Sequence, residues 1–239
     1  MDNTFTRTEL LLGSDAMERL KNARVAVFGV GGVGSYVVEG LARAGIGALD
    51  LVDHDDISPT NLNRQIIALH STVGQPKADV AAARVRDINP DCDVRAIKTF
   101  FLPETREQFD FTRYDYVVDA IDTVAGKLAL VETAKQADVP VISAMGAGNK
   151  LDPTAFKVAD ISKTAMCPLA RIMRKELGKR GIRHLKVVYS EEAPVTPVGE
   201  GETRGSAGRP TPGSVSFVPS VMGLIIASEV VRDLTGIER

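Results

Sequence analysis

The sequence predicts an α/β fold with a doubly wound, mostly parallel sheet and helices on both faces. Three observations lead to this expectation: short apolar runs alternate with helical segments, a glycine-rich turn follows the first apolar run, and polar residues follow the ends of several strands. Strands that are buried on both faces of a parallel sheet have this continuous apolar character, and crossover helices connect them. Ligands of such sheets lie at the carboxyl ends of the strands.

The elements follow in order along the chain. Strands are predicted at 24–28, 48–52, 94–98, 116–120 and 139–144, with helices at 32–44, 77–88, 105–109 and 123–137. The composition shifts after Gly148. FKVADIS and LKVVYS then predict further strands, CPLARIMRKELGKRGI a basic helix, and VPSVMGLIIASEVVRDL an apolar helix that should pack on the sheet or on a partner subunit, with an apolar surface over 224–231.

Composition excludes several classes of protein. The chain has 239 residues, 44% of them apolar, a net charge of −2 and two cysteines. This charge provides no global attraction to nucleic acid or anionic membranes, and two cysteines allow neither a disulfide framework nor a four-cysteine zinc site. No apolar run is long enough to span a bilayer, and residues 1–15 are too polar for a secretory signal. A cytoplasmic protein is expected.

The glycine-rich turn predicts a phosphate site. Gly29, Gly31 and Gly34 match G-x-G-x-x-G, with an extra glycine at Gly32. Glycine permits the tight turn and lets the backbone approach a phosphate at the N-terminus of the following helix. Asp53, at the end of the next strand, is at the distance expected of the carboxylate that binds a ribose hydroxyl. A turn without a ligand is the alternative for the glycines, and a turn cap is the alternative for Asp53.

The polar segment after Asp53 indicates a triphosphate rather than a dinucleotide. HDDISPTNLNRQ carries Asn61 and Arg64, and Lys77 opens the next helix. Two cations beside backbone amides favour a reaction in which negative charge builds on phosphates. Asp119 and Asp122, in VVDAID, would lie at the centre of the sheet, and Asp122 is the better candidate ligand for magnesium. Alternatively, Arg64 pairs with one of the acidic residues of HDD on the surface.

Five separated motifs together resemble a known family. GVGGVGS, the aspartate of LVDHDDI, NLNRQ, the lysine of GQPKA and the aspartate of DAID stand in the order and approximate spacing of the ubiquitin-activating-enzyme-like (ThiF/MoeB/HesA) adenylating family. The resemblance implies a Rossmann-like adenylating domain that uses ATP and Mg²⁺. We expect the chain, 1–239, to form a single domain of this type, with an N-terminal helical segment (1–23), a nucleotide-binding core (24–150) and a C-terminal substrate or dimer lobe (151–239). Within that lobe, residues 191–213 are rich in Gly, Pro, Thr and Glu, which predicts a mobile loop.

The same resemblance implies residue roles. Asp53 would hold the ATP ribose, Asn61 and Arg64 would contact ribose or phosphates, Lys77 would stabilise the triphosphate, and Asp122 would bind Mg²⁺. The resemblance also implies a homodimer.

By the same comparison, Arg7 in RTELLLG would reach the γ-phosphate of the partner subunit. This assignment depends on a short helical match.

The second half of the chain is similar to one subfamily, the tRNA threonylcarbamoyladenosine dehydratases. The similarity lies in SAMGAGNKLDPTAFKVADISKT, CPLARIMRKELGKRGI, VVYSEEAP and GSVSFVPSVMGLIIASEVVRDL. It implies ATP-dependent cyclisation of threonylcarbamoyladenosine in the tRNA anticodon loop through an acyl adenylate, with a sulfur-transfer protein as a possible partner. The alternatives are adenylation of the C-terminal glycine of a ubiquitin-like sulfur-carrier protein, and nucleotide sensing without catalysis. The chain lacks the paired zinc cysteines typical of carrier activators.

Two features leave alternatives open. Cys167 is either a nucleophile, as in relatives that form a thioester, or a small buried residue before Pro168. The basic helix and the residues after it carry seven cations and one acid, Glu176, and this stripe either follows tRNA phosphates or is a solvated surface. Its cations are Arg171, Arg174, Lys175, Lys179, Arg180, Arg183 and Lys186. The three histidines are scattered and predict no metal site.

Overall fold

The computed structural model describes residues 4–199, 203–204 and 209–237. Seven strands form one sheet: β1 (Arg24–Phe28), β2 (Ala48–Val52), β3 (Asp93–Ile97), β4 (Tyr116–Asp119), β5 (Val141–Ala144), β6 (Phe156–Asp160) and β7 (Lys186–Ser190). Their order is β3-β2-β1-β4-β5-β7-β6, and only β6 is antiparallel to its neighbour, β7. The first three strands are added toward one edge of the sheet and the later strands toward the other, so the strand order reverses between β1 and β4. The predicted doubly wound, mostly parallel α/β fold is therefore confirmed.

Seven α-helices of at least seven residues accompany the sheet in the described residues. They are α1 (Thr6–Leu12), α2 (Ser14–Asn22), α3 (Gly34–Ala44), α4 (Lys77–Ile88), α5 (Val124–Gln136), α6 (Pro168–Lys179) and α7 (Phe217–Thr235). Two residue pairs, β8 (Thr203–Arg204) and β9 (Arg209–Pro210), form a small antiparallel ribbon within the loop predicted at 191–213. Part of that predicted loop, 200–202 and 205–208, lies outside the described residues.

The predicted helix at 105–109 is wrong. Only a short 3-10 turn, Arg106–Gln108, forms there. The hydroxyl of Thr105 donates to the carbonyl of Phe100 at 2.8 Å and accepts from the amide of Leu102 at 2.9 Å. The amides of Gln108 and Phe109 donate to carbonyls only three residues back, and Phe109 is already extended (φ −118°, ψ 124°), so the hydrogen-bond pattern of an α-helix does not begin here. β5 also begins two residues later than predicted, at Val141, directly after Pro140.

The central strands have the burial that their composition predicts. In β1, Val25, Ala26, Val27 and Phe28 are fully buried, and every residue of β2 is buried. Parallel strands covered on both faces have this pattern. Because β1 and β2 are rigidly enclosed, the turns that leave their carboxyl ends begin from fixed positions.

The C-terminal helix packs along the first helix of the nucleotide-binding core. Glycines permit the close approach: a Cβ on Gly223 would lie 2.4 Å from the carbonyl oxygen of Val33, and one on Gly40 would lie 2.7 Å from the Cβ of Ala227. The expected apolar surface over 224–231 is wrong for most of that segment. Ile226, Ala227 and Val230 are buried within the chain, Ile225 and Val231 are partly buried, and Leu224 alone among these apolar residues is about half exposed. In the described residues, no helix is both long and apolar enough to cross a membrane.

Candidate active site

A cavity of about 460 Å³ opens at the carboxyl ends of β1 and β4, the neighbouring strands at which the strand order reverses. This is the crevice in which doubly wound sheets bind ligands. Most of the predicted site residues line it, namely Gly29, Gly31, Gly32, Asp53, Asn61, Arg64, Lys77 and Asp122. The structure therefore brings together all five motifs, the glycine turn and four others, although they are separated in sequence.

Two glycines of the turn are required by the protein itself. Gly29 has a φ of +88°, and a Cβ there would lie 2.6 Å from the carbonyl oxygen of Ala120. A Cβ on Gly34 would lie 1.8 Å from the carbonyl oxygen of Gly29. Both contacts are closer than any real Cβ contact, so the turn cannot form with larger residues at these positions.

The other two glycines are not required for packing to the same degree. A Cβ on Gly31 would meet nothing closer than the Gln65 amide nitrogen at 3.8 Å, and one on Gly32 would lie 3.3 Å from Pro219. Neither has a positive φ. Both line the cavity, so a side chain at Gly31 would occupy space that is otherwise open to a ligand.

Asp53 fixes the turn and also lines the cavity. Its Oδ2 accepts a hydrogen bond from the amide of Val30 at 2.7 Å, and its Oδ1 accepts from the amide of Asp55 at 2.9 Å. The predicted cap is therefore present. It coexists with a position on the cavity wall, since one carboxylate can accept up to about four hydrogen bonds.

The polar segment after β2 folds over the cavity as a compact turn. Asn61 is buried, and its side-chain oxygen accepts from the amide of Ser58 at 3.0 Å. Arg64 donates to the carbonyl of Thr60 at 2.8 Å and to the side-chain oxygen of Asn63 at 2.9 Å. These bonds orient the Arg64 side chain along the wall of the cavity.

Lys77 is a buried cation at the start of α4. Its Nζ lies 2.7 Å from Oδ2 of Asp55, and its amide donates to the Asp55 carbonyl at 3.0 Å. Only 8% of its side chain is exposed, although it lines the cavity. A cation in this position is already partly desolvated, which strengthens its interaction with an arriving anion.

Asp119, which ends β4, and Asp122, three residues later, differ in burial and in hydrogen bonding. Asp119 is fully buried; it accepts a hydrogen bond from the hydroxyl of Ser143 and lies 3.0 Å from Nζ of Lys127. Asp122 is exposed to the cavity, and within the described residues it makes no hydrogen bond or ion pair. Both oxygens of Asp119 are thus occupied by partners inside the protein, whereas the carboxylate of Asp122 is available to a metal ion.

The sequence interpretation missed Lys127 and assigned Gln65 no role. Lys127 is a single cation within the apolar stretch of α5, and this isolation is the signal that could have identified it. Three buried side-chain oxygens lack a partner among the described residues: Ser35 Oγ, Gln65 Oε1 and Thr123 Oγ1. Each belongs to or directly follows one of the motifs GVGGVGS, NLNRQ and DAID. Buried polar atoms normally have hydrogen-bond partners, so these three oxygens mark positions at which a bound ligand would complete the hydrogen bonding.

These observations fit a nucleotide with magnesium. The open glycines leave room for phosphates, the cations of Arg64 and Lys77 border the same space, and Asp122 is available. Magnesium in proteins is usually held by one or two carboxylates together with substrate phosphates, so a single carboxylate at this edge is sufficient.

The remaining predicted residues lie elsewhere. Arg7 is exposed on α1 and does not line the cavity. Cys167 is buried; its Sγ would lie 3.8 Å from a Cβ on Gly146, and it does not line the cavity. Asp53, His54 and Asp55 are close enough to share a metal ion, contrary to the expectation for the histidines, but Asp53 already accepts two backbone hydrogen bonds. That geometry is not specific to a metal.

The positive stripe of α6 and the residues after it is neutralised only in part: three of its seven cations, Lys179, Arg180 and Lys186, pair with acids, and Glu176 is not the only acid that balances them. Arg180 pairs with Glu132 on α5 at 2.9 Å as well as with Glu176. Four of the seven cations contact acids or carbonyl oxygens, namely Arg174, Lys179, Arg180 and Lys186. The other three, Arg171, Lys175 and Arg183, are exposed.

Lys186 illustrates this neutralisation. Its Nζ lies 2.7 Å from Glu229 and 2.8 Å from Asp233, both on α7. Burial disfavours its charged form, but the hydrogen bonds from Nζ to Asp233 and Glu229 outweigh that effect and raise its pKa. The charge of Lys186 is therefore used inside the protein.

The end of the loop predicted at 191–213 forms part of the cavity wall. Thr211, Pro212 and Gly213 line it together with Ser214. Asn149, which has a φ of +56°, exchanges hydrogen bonds with Gly213, and its carbonyl accepts from the amide of Val195 at 2.7 Å. Both described ends of the loop are thus attached to one residue.

Comparison with known proteins agrees with this fold. Residues 5–239 match the ThiF family, so the chain belongs to that family. It is 49% identical over 242 aligned residues to the tRNA threonylcarbamoyladenosine dehydratase of Bacillus subtilis (strain 168), which covers 98% of this chain and 95% of that protein. It is 41% identical over 205 residues to the protein of the same name from Escherichia coli (strain K12), covering 82% and 76%.

A solved structure shows the same architecture. The crystal structure of E. coli tRNA N6-threonylcarbamoyladenosine dehydratase, TcdA, in complex with ATP superposes with a TM-score of 0.88 at 36% identity, covering 98% of this chain and 94% of that one. The complex of the same protein with AMP gives the same values.

Proposed function

We propose that this protein catalyses the ATP-dependent dehydration of threonylcarbamoyladenosine in the tRNA anticodon loop, through an acyl-adenylate intermediate. The observation that carries the proposal is the convergence of Arg64, Lys77 and Asp122 on a cavity beside an open glycine turn. The names of the relatives, and the ATP and AMP complexes of TcdA, support the choice of substrate and nucleotide.

In the proposed complex, ATP lies along the glycine turn. Asp53 and Asn61 contact the ribose, and Arg64 and Lys77 face the phosphates. The backbone at Gly31 and the N-terminus of α3 bind the negative charge, since amides there point at the ligand. Asp122 holds Mg²⁺, which neutralises phosphate charge when it is bound.

The chemistry solves a leaving-group problem. The threonine carboxylate attacks the α-phosphorus of ATP; the new oxygen–phosphorus bond forms as the bond to pyrophosphate breaks. A nucleophilic atom of the ureido group then attacks the activated carbonyl and loses its proton, and AMP leaves. The net change in the nucleoside is the loss of one water. Because nucleophile and electrophile share one substituent, their high effective concentration makes an enzyme nucleophile unnecessary.

The charged residues contribute most when the triphosphate splits. Negative charge moves onto the departing pyrophosphate, and Arg64 and Lys77 stabilise it from fixed positions. Lys77 is suited to this because it is buried beside a single acid, Asp55. Neither step needs a thiol, which agrees with the buried position of Cys167 away from the cavity wall.

The proposal extends to the assembly and setting of the protein. The protein acts as a homodimer in the cytoplasm, and Arg7 on α1 reaches the γ-phosphate of the ATP bound by the partner subunit. Leu10 and Leu11 on the same helix are 81% and 87% exposed, an apolar surface of the kind that subunit contacts cover. The tRNA is the acceptor, and a sulfur-transfer protein is a possible further partner.

The test compares three acceptors. Purified protein is incubated with MgATP and with tRNA carrying threonylcarbamoyladenosine, unmodified transcript of the same tRNA, or a ubiquitin-like carrier protein ending in glycine. AMP formation that depends on the modified tRNA is expected. AMP formation, or pyrophosphate exchange, that depends only on the carrier would replace the proposal with carrier activation. ATP binding without turnover under all conditions would indicate a nucleotide-sensing protein.

A further inference from the structure

A buried ion pair lies directly behind the predicted magnesium ligand. Lys127 and Asp119 both have fully buried side chains, with Nζ and Oδ2 3.0 Å apart. Nζ of Lys127 also donates to the carbonyl of Ile121 at 3.0 Å. The Oδ1 of Asp119 accepts from the amide of Ile121 at 3.2 Å. The pair therefore binds both the backbone amide and the backbone carbonyl of Ile121, and the next residue in the chain is Asp122.

Stability alone does not account for such a pair. Desolvating two charges is costly, and well-packed apolar residues often replace a buried ion pair without loss of stability. The hydroxyl of Ser143 donates to the same Asp119 carboxylate, so the acid is fully used inside the protein. What the pair does provide is a fixed orientation for the backbone between β4 and α5.

This backbone also abuts the glycine turn. The carbonyl oxygen of Ala120 lies 2.6 Å from the place where Gly29 would carry a Cβ, and the amide of Ala120 donates to Phe28 at 2.8 Å. The segment 120–122 is thus fixed against the phosphate site on one side and by Lys127 on the other. The carboxylate of Asp122 makes no hydrogen bond or ion pair within the described residues, so its position depends on this backbone.

We propose that Lys127 is a positioning residue, which orients Asp122 toward nucleotide-bound metal through the carbonyl of Ile121. The proposal rests on the proposed site, but it needs only metal and nucleotide and is independent of the acceptor. Residues that orient a metal ligand from behind typically change metal affinity by about 10- to 100-fold when they are removed.

The experiment measures metal and nucleotide separately in the full-length protein. Mn²⁺ binding in the presence of a non-hydrolysable ATP analogue is followed by electron paramagnetic resonance, and analogue binding in EDTA by calorimetry. For Lys127→Met, the expected result is Mn²⁺ affinity weakened by about 10-fold or more with analogue affinity in EDTA within about 2-fold of the unchanged protein. Lys127→Arg, which can still donate to Ile121, is expected to restore most of the Mn²⁺ affinity.

Matched variants separate positioning from folding. Lys135→Met makes the same substitution at an exposed site on the same helix and should leave Mn²⁺ binding unchanged. The double variant Asp119→Asn/Lys127→Met removes both buried charges and leaves neither uncompensated. It therefore tests the role of Lys127 in Mn²⁺ binding if Lys127→Met alone unfolds the protein. This variant is expected to fold, by circular dichroism, and still to bind Mn²⁺ weakly because the bond to Ile121 is lost.

Two results would overturn the proposal. One is a double variant that binds Mn²⁺ as tightly as the unchanged protein, and the other is an equal loss of Mn²⁺ and metal-free nucleotide binding in the single variant. Neither reading involves tRNA. Failure of the proposed function would appear as missing AMP formation, with these binding results unaffected.

Discussion

The carboxyl edge of the sheet and the helix α6 both concentrate charged residues, but the two regions use them differently. At the edge, Asp122 and Lys77 border a cavity whose wall also includes the open glycine Gly31. On α6, charges such as that of Arg180 are paired with acids on the protein surface. A charged residue therefore indicates a ligand when the chain places it at a strand end beside exposed backbone amides, and a run of cations on a helix does not by itself do so.

The largest expected effect comes from the charges at the edge. Asp122→Asn and Arg64→Ala should each reduce AMP formation with modified tRNA by about 100-fold or more, since each removes a charge that faces the splitting triphosphate. Melting temperature should hardly change for Asp122→Asn, because that carboxylate makes no contact within the described residues. Arg180→Ala, whose surface charge is paired with Glu132, is the control, and equal activity of all three variants would remove the distinction between the regions.

The second effect separates glycines that serve the fold from those that serve the ligand. Gly34→Ala should lower the free energy of unfolding by about 3 kcal/mol, because the new Cβ overlaps the carbonyl of Gly29. Gly31→Ala should change it by less than about 0.5 kcal/mol. It should nevertheless weaken ATP binding by about 10-fold, a loss of about 1.4 kcal/mol. Denaturant titration and calorimetry measure the two quantities.

The glycine comparison has a clear failure. If Gly31→Ala binds ATP like the unchanged protein, the phosphates do not lie against Gly31, and the position proposed for the nucleotide is wrong. If it instead unfolds the protein, Gly31 is required for packing in the same way as Gly34.

A smaller effect is expected for tRNA affinity. Arg171, Lys175 and Arg183 are the exposed cations of the stripe, and replacing all three with Ala should weaken tRNA binding and reduce its salt dependence by about one unit of log–log slope for each lost phosphate contact. Arg180→Ala should leave the salt dependence unchanged, since its charge is paired with Glu132. Filter binding across a range of salt concentrations measures both. An unchanged salt dependence of tRNA binding in the triple variant would show that the stripe is a solvated surface that does not contact tRNA phosphates.

The smallest effect concerns Cys167. Cys167→Ala should leave AMP formation within about 2-fold, because the proposed ring closure needs no enzyme nucleophile. A small loss of stability, about 1 kcal/mol, is expected from the buried volume removed. Loss of activity in a variant with an unchanged melting temperature would assign Cys167 a catalytic role.

Sequence reasoning succeeded where the signal is local. The strand at 24–28, its glycine turn and the helix at 77–88 have the predicted bounds, because each is determined by a short apolar run or by residues adjacent in sequence. The grouping of the motifs at one cavity also followed, since parallel strands bring their carboxyl ends to one edge.

It failed where the partners of a side chain lie in other secondary-structure elements. Lys127 on α5 gains its meaning from Asp119, at the end of β4, and from Ile121, in the turn between them, and the charges of Arg180 and Lys186 are balanced by acids of α5 and α7. A pattern in one segment does not show which residue of another will face it. The wrong helix at 105–109 has the same cause, since Phe109 ends the turn in an extended conformation with its ring against Phe28 and Phe101, contacts that apolar periodicity does not reveal.

The most direct test of the central claim is mass analysis of the product. Modified tRNA incubated with the protein and MgATP is digested to nucleosides, and threonylcarbamoyladenosine is compared with its dehydrated form, with AMP measured in the same sample. The account predicts that the nucleoside loses one water, with one AMP formed for each molecule converted, and that Asp122→Asn abolishes both changes. ATP cleavage that leaves the nucleoside intact would contradict it.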